Sequence, residues 1–332
     1  MRLSIIVRFV AVAGIAIAET RKAVPDRYYN TFSHTNPVFL RIKQGDIVVT
    51  KTLDSGGLDE RGESRATGGN PLTGPFYIDG AAPGDAILVH LRKVRLNRNW
   101  GSTAYRLAPF SVLPEFVESM YPNHYKADIV RKGRDNVLPW DLDLKTNTVK
   151  LREPASGKIK LEFPARPMLG CIGVAANGDF SPTSGPSGSY GGNLDYNETA
   201  EGATVILPVY HPGALLFMGD GHAIMADGEP TGTGVETSMD VEFSVEIKKN
   251  ARLNGPRVET ADYVISVGAQ PEFSSSLDRG LQMATTDMIR WLTGEFQLEP
   301  WAAHQLIGTV GKYDVVTVAG TMALRIPKKY LK

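Results

Sequence analysis

The chain predicts a mainly β fold, of the β-sandwich or barrel-like kind, completed by a small C-terminal α+β part. Three observations predict it. The 34 glycines and 21 prolines are spread along 332 residues, which favours many short strands and tight turns over a helical bundle. Apolar and polar residues alternate with period two in several stretches between residues 38 and 247, the mark of half-buried strands. A helical period appears only after Ser276. A hydrophobic content of 42% and a charged content of 22% are those of a soluble globular protein with a sizeable core.

The first 18 residues stand apart. An apolar run from Ile5 to Ile17, with Arg2 before it and Arg8 inside it, ends in Ala16-Ile17-Ala18 before Glu19. It reads as a secretory signal with a small-residue cleavage site, too short for a membrane span. On that reading the mature chain is periplasmic or secreted and has no membrane span; otherwise it is cytoplasmic. Residues 19–332 then form one unit, β-rich over 30–250 and carrying a helical hairpin and strand over 257–332.

Val38, Leu40 and Ile42 alternate with Phe39, Arg41 and Lys43, Gln44-Gly45-Asp46 turns, and Ile47 to Leu53 returns. The pattern predicts a β-hairpin that brings His34, at its entrance, close to Asp54, at its exit. Residues 58–75 read as a long polar loop. Pro83-Gly84-Asp85 is a tight turn before a strand through Ile87, Val89 and Leu91. Residues 97–145, rich in aromatics (Trp100, Phe110, Tyr121, Tyr125, Trp140), have no clear period and read as an irregular insert around His124. Short strands are expected at 147–151 and 158–163. Thr204–Tyr210 and Ala214–Met218 are strands, and Met239 to Ile247 has the cleanest alternation in the chain. Leu277, Leu281, Ala284, Met288, Trp291 and Leu292 follow a helical period behind Ser276, a plausible N-cap. A second helix is expected over 300–307, and a return to strand over 315–326.

The chemistry concentrates in Gly219–Glu236, which holds Asp220, His222, Asp227, Glu229 and Glu236 among glycines. Groups that hold a metal or move a proton sit there on backbone that can turn sharply. The stretch is expected to be a loop pinned between two strands. Asn193 and Asp195, at i and i+2, can share one side of an extended segment. Equal numbers of basic and acidic residues, 36 each, and no long basic run argue against a nucleic-acid partner. The single Cys171 excludes an internal disulfide and a cysteine-only metal site. It lies in an apolar run without a neighbouring base, which favours a small buried hydrophobe over a nucleophile.

At these clusters the sequence resembles the acetamidase/formamidase family. The resemblance rests on TGPFYIDGAAPGD (73–85), RPMLGCIGVA (166–175), the stretch from Tyr190 to Glu236, and the closing helical hairpin with its strand. It implies a mostly β fold, hydrolysis of the C–N bond of short linear amides such as formamide or acetamide to acid and ammonia, and a homo-oligomer. Two departures stand out: Asp79 where the family often has glutamate, and the apolar spacer Ile224-Met225-Ala226 where it often has a glutamine.

Amide hydrolysis needs an activated water, a stabilised oxyanion and a proton for the departing amine. No Gly-x-Ser-x-Gly elbow is present, so a metal-activated water is the natural alternative. His34, Asp54, Asp195, Asp220 and His222 are the candidate ligands of a divalent ion, zinc or else calcium, with no organic cofactor. Glu236 or Glu229 is the candidate general base, and Asn193 a donor to the substrate oxygen. A β-sandwich protein that binds a small ligand or calcium without turnover is the alternative reading.

Overall fold

Alternation gives each strand one apolar face, and two sheets bury those faces against each other. The architecture is that of a computed structural model, described for residues 18–108, 111–116, 137–152, 159–269 and 276–331. The first sheet runs, in spatial order, β1 (Thr20–Lys22), β3 (Ile47–Lys51), β16 (Met239–Lys248), β5 (Ala86–Leu96), β13 (Thr204–Pro208), β17 (Arg257–Glu259), β18 (Tyr263–Gly268), β20 (Thr321–Pro327) and β19 (Lys312–Thr317). The second runs β11 (Ser187–Gly188), β12 (Gly191–Asn193), β10 (Met168–Val174), β14 (Leu216–His222), β15 (Glu236–Thr237), β6 (Trp100–Ala104), β7 (Val137–Asp143), β8 (Thr148–Leu151) and β9 (Glu162–Pro164). In that sheet β4 (Leu72–Ile78) also pairs with β14, and β2 (Leu40–Ile42) pairs with β4. The fold is mainly β, as the sequence implies.

One core joins the sheets. Val89, Leu91, Val241, Phe243 and Val245 from the first meet Leu72, Phe76, Leu169, Ile172, Leu216 and Met218 from the second. Phe76 and Phe243 pack edge to face across the gap, with ring centroids 5.1 Å apart. Emptying the Phe243 position by truncation to alanine costs about 3–5 kcal/mol in such a setting. The long strand β16 keeps its expected alternation, with Met239, Val241, Phe243 and Val245 buried and Asp240 and Glu246 exposed.

The hairpin expected over residues 38–53 does not form. β2 lies parallel to β4 in the second sheet, whereas β3 lies in the first sheet between β1 and β16. Asp46 makes the crossing: its carboxylate accepts the Lys43 and Glu19 backbone N–H groups and Arg21 Nε. His34 and Asp54 are therefore not brought together by a shared hairpin. The insert of 97–145 is also more regular than its pattern implies, since β6 and β7 pair with each other in antiparallel register. Phe110, Tyr121, Tyr125 and His124 lie outside the described residues, as do residues 1–17 of the expected signal.

The helical hairpin packs on the outer face of the first sheet. Helix α1 (Leu277–Gly294) is capped by Ser276, whose Oγ accepts the Arg279 N–H. Ala284, Met288, Trp291 and Leu292 pack with Val264, Leu324 and Ile326. The stripe departs from expectation at its start, where Leu277 and Leu281 are exposed and Gly280 faces the sheet. A Cβ on Gly280 would meet the backbone of Gly320 and Gly268 at 2.9 and 3.1 Å, so the close approach excludes a side chain there. Helix α2 (Pro300–Val310) follows, and β19 and β20 form the closing hairpin. Among the described residues no helix is long and apolar enough to cross a membrane.

Candidate metal centre and active site

The site lies where the neighbours of β14 change. β4 pairs along Leu216 to Gly219, β15 pairs with Gly221 and His222, and Asp220 falls between them. Asp220 adopts φ +54°, in the left-handed region that a side chain occupies only when the surroundings hold it. Asp195 (φ +47°), Glu229 (φ +47°) and Asn70 (φ +55°) share this conformation. Glu236 stands directly opposite His222 in the β14–β15 ladder.

These elements bring five side chains together. Asp195, Asp220 and His222 offer ligand atoms within 4.8 Å of one another, and so do His222, Glu229 and Glu236. His222 Nε2 lies 3.0 Å from Glu236 Oε1, 3.7 Å from Asp220 Oδ1 and 4.0 Å from Asp195 Oδ1. None of these contacts is aligned as a hydrogen bond. Asp195 Oδ1, Asp220 Oδ1, both ring nitrogens of His222 and Glu236 Oε2 are buried without a hydrogen-bond partner. Such orphaned groups are rare, and each asks for a missing partner.

The other carboxylate oxygens are satisfied. Asn193 Nδ2 donates to Asp195 Oδ2 at 2.6 Å, and Asn70 Nδ2 donates to Asp220 Oδ2 at 3.1 Å. Glycines make the room. A Cβ on Gly170 would lie 2.5 Å from Asp195 Oδ1 and 2.7 Å from Asp220 Oδ2. A Cβ on Gly234 would collide with the His222 ring.

Burial and mutual repulsion push three of the carboxyls up. Asp195 rises to about 8, chiefly through burial and then through Asp220. Glu236 rises to about 7 through burial, against the pull of His222. Glu229 is raised well above the usual range by burial and by Asp195. For His222, burial opposes the charge, but Glu236 and Asp220 outweigh it and hold the imidazole well above its ordinary value. The cluster is a surplus of negative charge in a low-dielectric place, which a cation would relieve. Two carboxylate oxygens and an imidazole nitrogen, all orphaned and converging, fit a divalent ion.

A cavity of about 190 Å³ opens beside the cluster. Asn193, Asp195 and Glu229 form its polar wall, and Gly185, Gly232, Thr317, Val318 and Ala319 the rest. Thr317 to Ala319 belong to the tip of the C-terminal hairpin, tied down by the Val318 N–H on the Gly228 carbonyl at 2.7 Å. A larger hollow of about 570 Å³ on the first sheet is bordered by Lys51, Lys93 and Arg95, which are paired with Glu60, Glu242 and Glu201.

Six of the eight sequence-predicted site residues meet here: Asn193, Asp195, Asp220, His222, Glu229 and Glu236. Two do not. Asp54 is buried, but Arg98 takes its Oδ2 at 2.6 Å and the Leu58 N–H takes its Oδ1, so it has no free oxygen facing the cluster. His34 stacks on His211, with centroids 4.5 Å apart, and its Nε2 lies 3.8 Å from the exposed Asp179. Asp227 sits outside the cluster, accepting from Asn197. Asp220, His222 and Glu236 are on strands rather than in a loop. Cys171 is fully buried, with a thiol raised far up by burial and by Asp220 and Asp195; its S–H donates to Asn193 Oδ1. That is no nucleophile. Asp79 forms an exposed ion pair with Arg41 at 2.5 Å, away from the cavity lining. Sequence reasoning missed Asn70, whose signal was an asparagine behind Gly68-Gly69, and Thr317–Ala319, which carry no chemical signature.

A profile of the acetamidase/formamidase family matches residues 174–278, a span that includes all six of these residues. Over this segment the chain is similar to the acetamidase/formamidase family. A putative formamidase of Schizosaccharomyces pombe is 25% identical over 215 residues, 54% of this chain and 52% of that protein. The chain thus spans about half the length of the curated relative it matches. The crystal structure of an acetamidase from Yersinia enterocolitica is 26% identical with a TM-score of 0.78, over 97% of this chain and 96% of the other. A predicted acetamidase/formamidase from Thermoanaerobacter tengcongensis is 28% identical with a TM-score of 0.71, over 95% and 97%. A gamma lactamase from Delftia acidovorans, 18% identical with a TM-score of 0.56 over 94% and 93%, shares the fold alone. The segment matched by the family profile is thus the one that carries the acidic cluster and its imidazole.

Proposed function

We propose that the protein hydrolyses the C–N bond of a short linear amide, such as formamide or acetamide, to carboxylate and ammonia at this cluster. The observation that carries the reading is the convergence of Asp195 Oδ1, Asp220 Oδ1 and His222 Nε2, buried and orphaned, on one point beside a small cavity. Asp195, Asp220 and His222 would hold a divalent ion, and Glu236 lies within reach. A bound ion of this kind lowers the pKa of water to around 7 and polarises a carbonyl. The imidazole favours zinc, and the oxygen-rich remainder also suits calcium.

The chain's own residues do the proton work. Glu236, with its carboxyl near neutral, can take a proton from water and return it to the departing amine. Glu229, on the cavity wall, is the second candidate for that relay. Asn193 uses one amide N–H on Asp195 and keeps the other for the substrate oxygen. A cavity of about 190 Å³ is below the usual range for drug-sized ligands, which supports a small amide.

The test is ammonia release from formamide and acetamide by the purified protein, before and after chelation, with metal content read on the same sample. Ammonia that stops with chelator and returns with one metal is the expected result and names the ion. Ammonia indifferent to chelator would remove the ion from the reaction. A folded, metal-loaded protein that gains thermal stability with ligand yet releases no ammonia would favour binding without turnover.

A further inference from the structure

Asp195 and Asp220 each have two carboxylate oxygens, and the Oδ1 of each lies near His222 Nε2, at 4.0 and 3.7 Å. Something decides which. The Asp220 side chain is fixed by Asn70, whose Nδ2 donates to Asp220 Oδ2 at 3.1 Å. The same Nδ2 lies 3.1 Å from Asn193 Oδ1, which also accepts the Cys171 thiol at 2.9 Å. Asn193 Nδ2 then donates to Asp195 Oδ2 at 2.6 Å. With a cation bound both carboxylates are ionised and only accept, so each is faced by an amide nitrogen. A single chain of donors thus runs from Asn70 to both aspartates, and their Oδ1 atoms are left over.

Asn70 is itself held firmly. Its backbone N–H and that of Gly69 both donate to the Ser55 carbonyl, at 3.2 and 2.9 Å. The Gly69 carbonyl accepts Asn30 Nδ2 at 2.6 Å and Ser184 Oγ at 2.8 Å. The left-handed φ of +55° is one that asparagine tolerates better than most residues. Bracing a loop this way makes sense where a side chain must point in one direction.

We propose that Asn70 is a positioning residue of the metal centre. It clamps Asp220 directly and Asp195 through Asn193, so that one oxygen of each faces a single cation. The inference rests on the cation-binding reading of the cluster. Residues that hydrogen-bond the unligated atoms of metal ligands set ligand orientation, and their loss typically weakens binding about 10–100-fold.

The experiment compares wild type with Asn70→Gly, which removes the amide while keeping the left-handed backbone comfortable, and Asn70→Asp, which keeps the shape but turns the donor into an acceptor. Zinc affinity is read by competition with a chromophoric chelator, alongside the Tm of the metal-free protein and the KM and kcat for formamide. Expected is a zinc Kd about 10–100-fold weaker in Asn70→Gly, at least as weak in Asn70→Asp, with little change in apo Tm. Both variants binding zinc like wild type would overturn the clamp, as would a lowered Tm with unchanged Kd, which is the signature of a merely structural loop residue. A wild-type protein that binds neither zinc nor calcium overturns the cation reading and the clamp together, so the two failures are told apart.

Discussion

Two sets of carboxylates lie equally deep in this protein and are treated in opposite ways. Asp46, Asp54 and Asp85 are 1%, 5% and 5% exposed; Asp195, Asp220 and Glu236 are 2%, 3% and 6% exposed. The first set is saturated with donors. Asp85 accepts the Ala82 and Asn250 N–H groups and Lys249 Nζ, and Asp54 accepts the Leu58 N–H and Arg98. Burial alone would raise Asp46 and Asp85, yet their donors outweigh it and hold both below the usual carboxylate range. The second set crowds around one imidazole with oxygens left over, and for its raised members His222 and Asn193 do not outweigh burial. Burial therefore does not mark function here. What sets the second group apart is unsatisfied convergence.

The comparison can be broken most sharply at Asp220. Asp220→Asn keeps an oxygen for Asn70 but removes a charge and a ligand. Metal content and ammonia release should fall to background together, while the Tm of the metal-free protein holds or rises; retained turnover would sink the assignment. In the saturated set the reverse is expected. Arg98→Ala leaves Asp54 buried and uncompensated, which costs about 3–5 kcal/mol on urea unfolding. A loss under 1 kcal/mol would mean that Asp54 is not held by that pair.

The sets should also separate with pH. Asp46 and Asp85 have folded values below their ordinary ones, so their stability is present above about pH 4 and is lost as pH falls through the folded values. Asp195 and Glu236 have folded values near 8 and 7, so the stability they allow is present at about pH 4 and is lost as pH rises toward 8. Metal-free protein should therefore melt lower at pH 8 than at pH 5, and added zinc should flatten the difference. A level apo profile from pH 5 to 8 would contradict the raised values. The smallest effect probes shape rather than charge. A Cβ on Gly185 has its nearest neighbour at 3.7 Å, so Gly185→Ala adds a methyl to the cavity wall without a clash. KM should rise more for acetamide than for formamide, by up to about tenfold, at constant Tm.

Much of this was legible in the chain. The alternation of Met239–Ile247 is strong because one face of β16 lies on the core along most of its length. Asp220, His222 and Glu236 stood out by residue type, and the register of β14 against β15 does place His222 opposite Glu236. What alternation could not supply is the choice of sheet. Residues 38–53 have the local look of a hairpin, but Asp46 sends the chain from one sheet to the other, and the pairing expected of His34 and Asp54 dissolves with it. Asn70 stayed hidden for a related reason: its role depends on a contact 150 positions away in the chain, and nothing in its neighbourhood advertises the partner.

The tip of the C-terminal hairpin, Thr317 to Ala319, forms one wall of the cavity, while the acids that face it are complete by Glu236. A ribosome making this chain thus exposes every candidate ligand roughly 80 residues before it releases the segment that closes the chamber. Until that last ribbon docks, the chamber beside the acids and the imidazole lacks the wall that Thr317 to Ala319 supply. The wall that shapes the chamber is thus the last of its parts to be made.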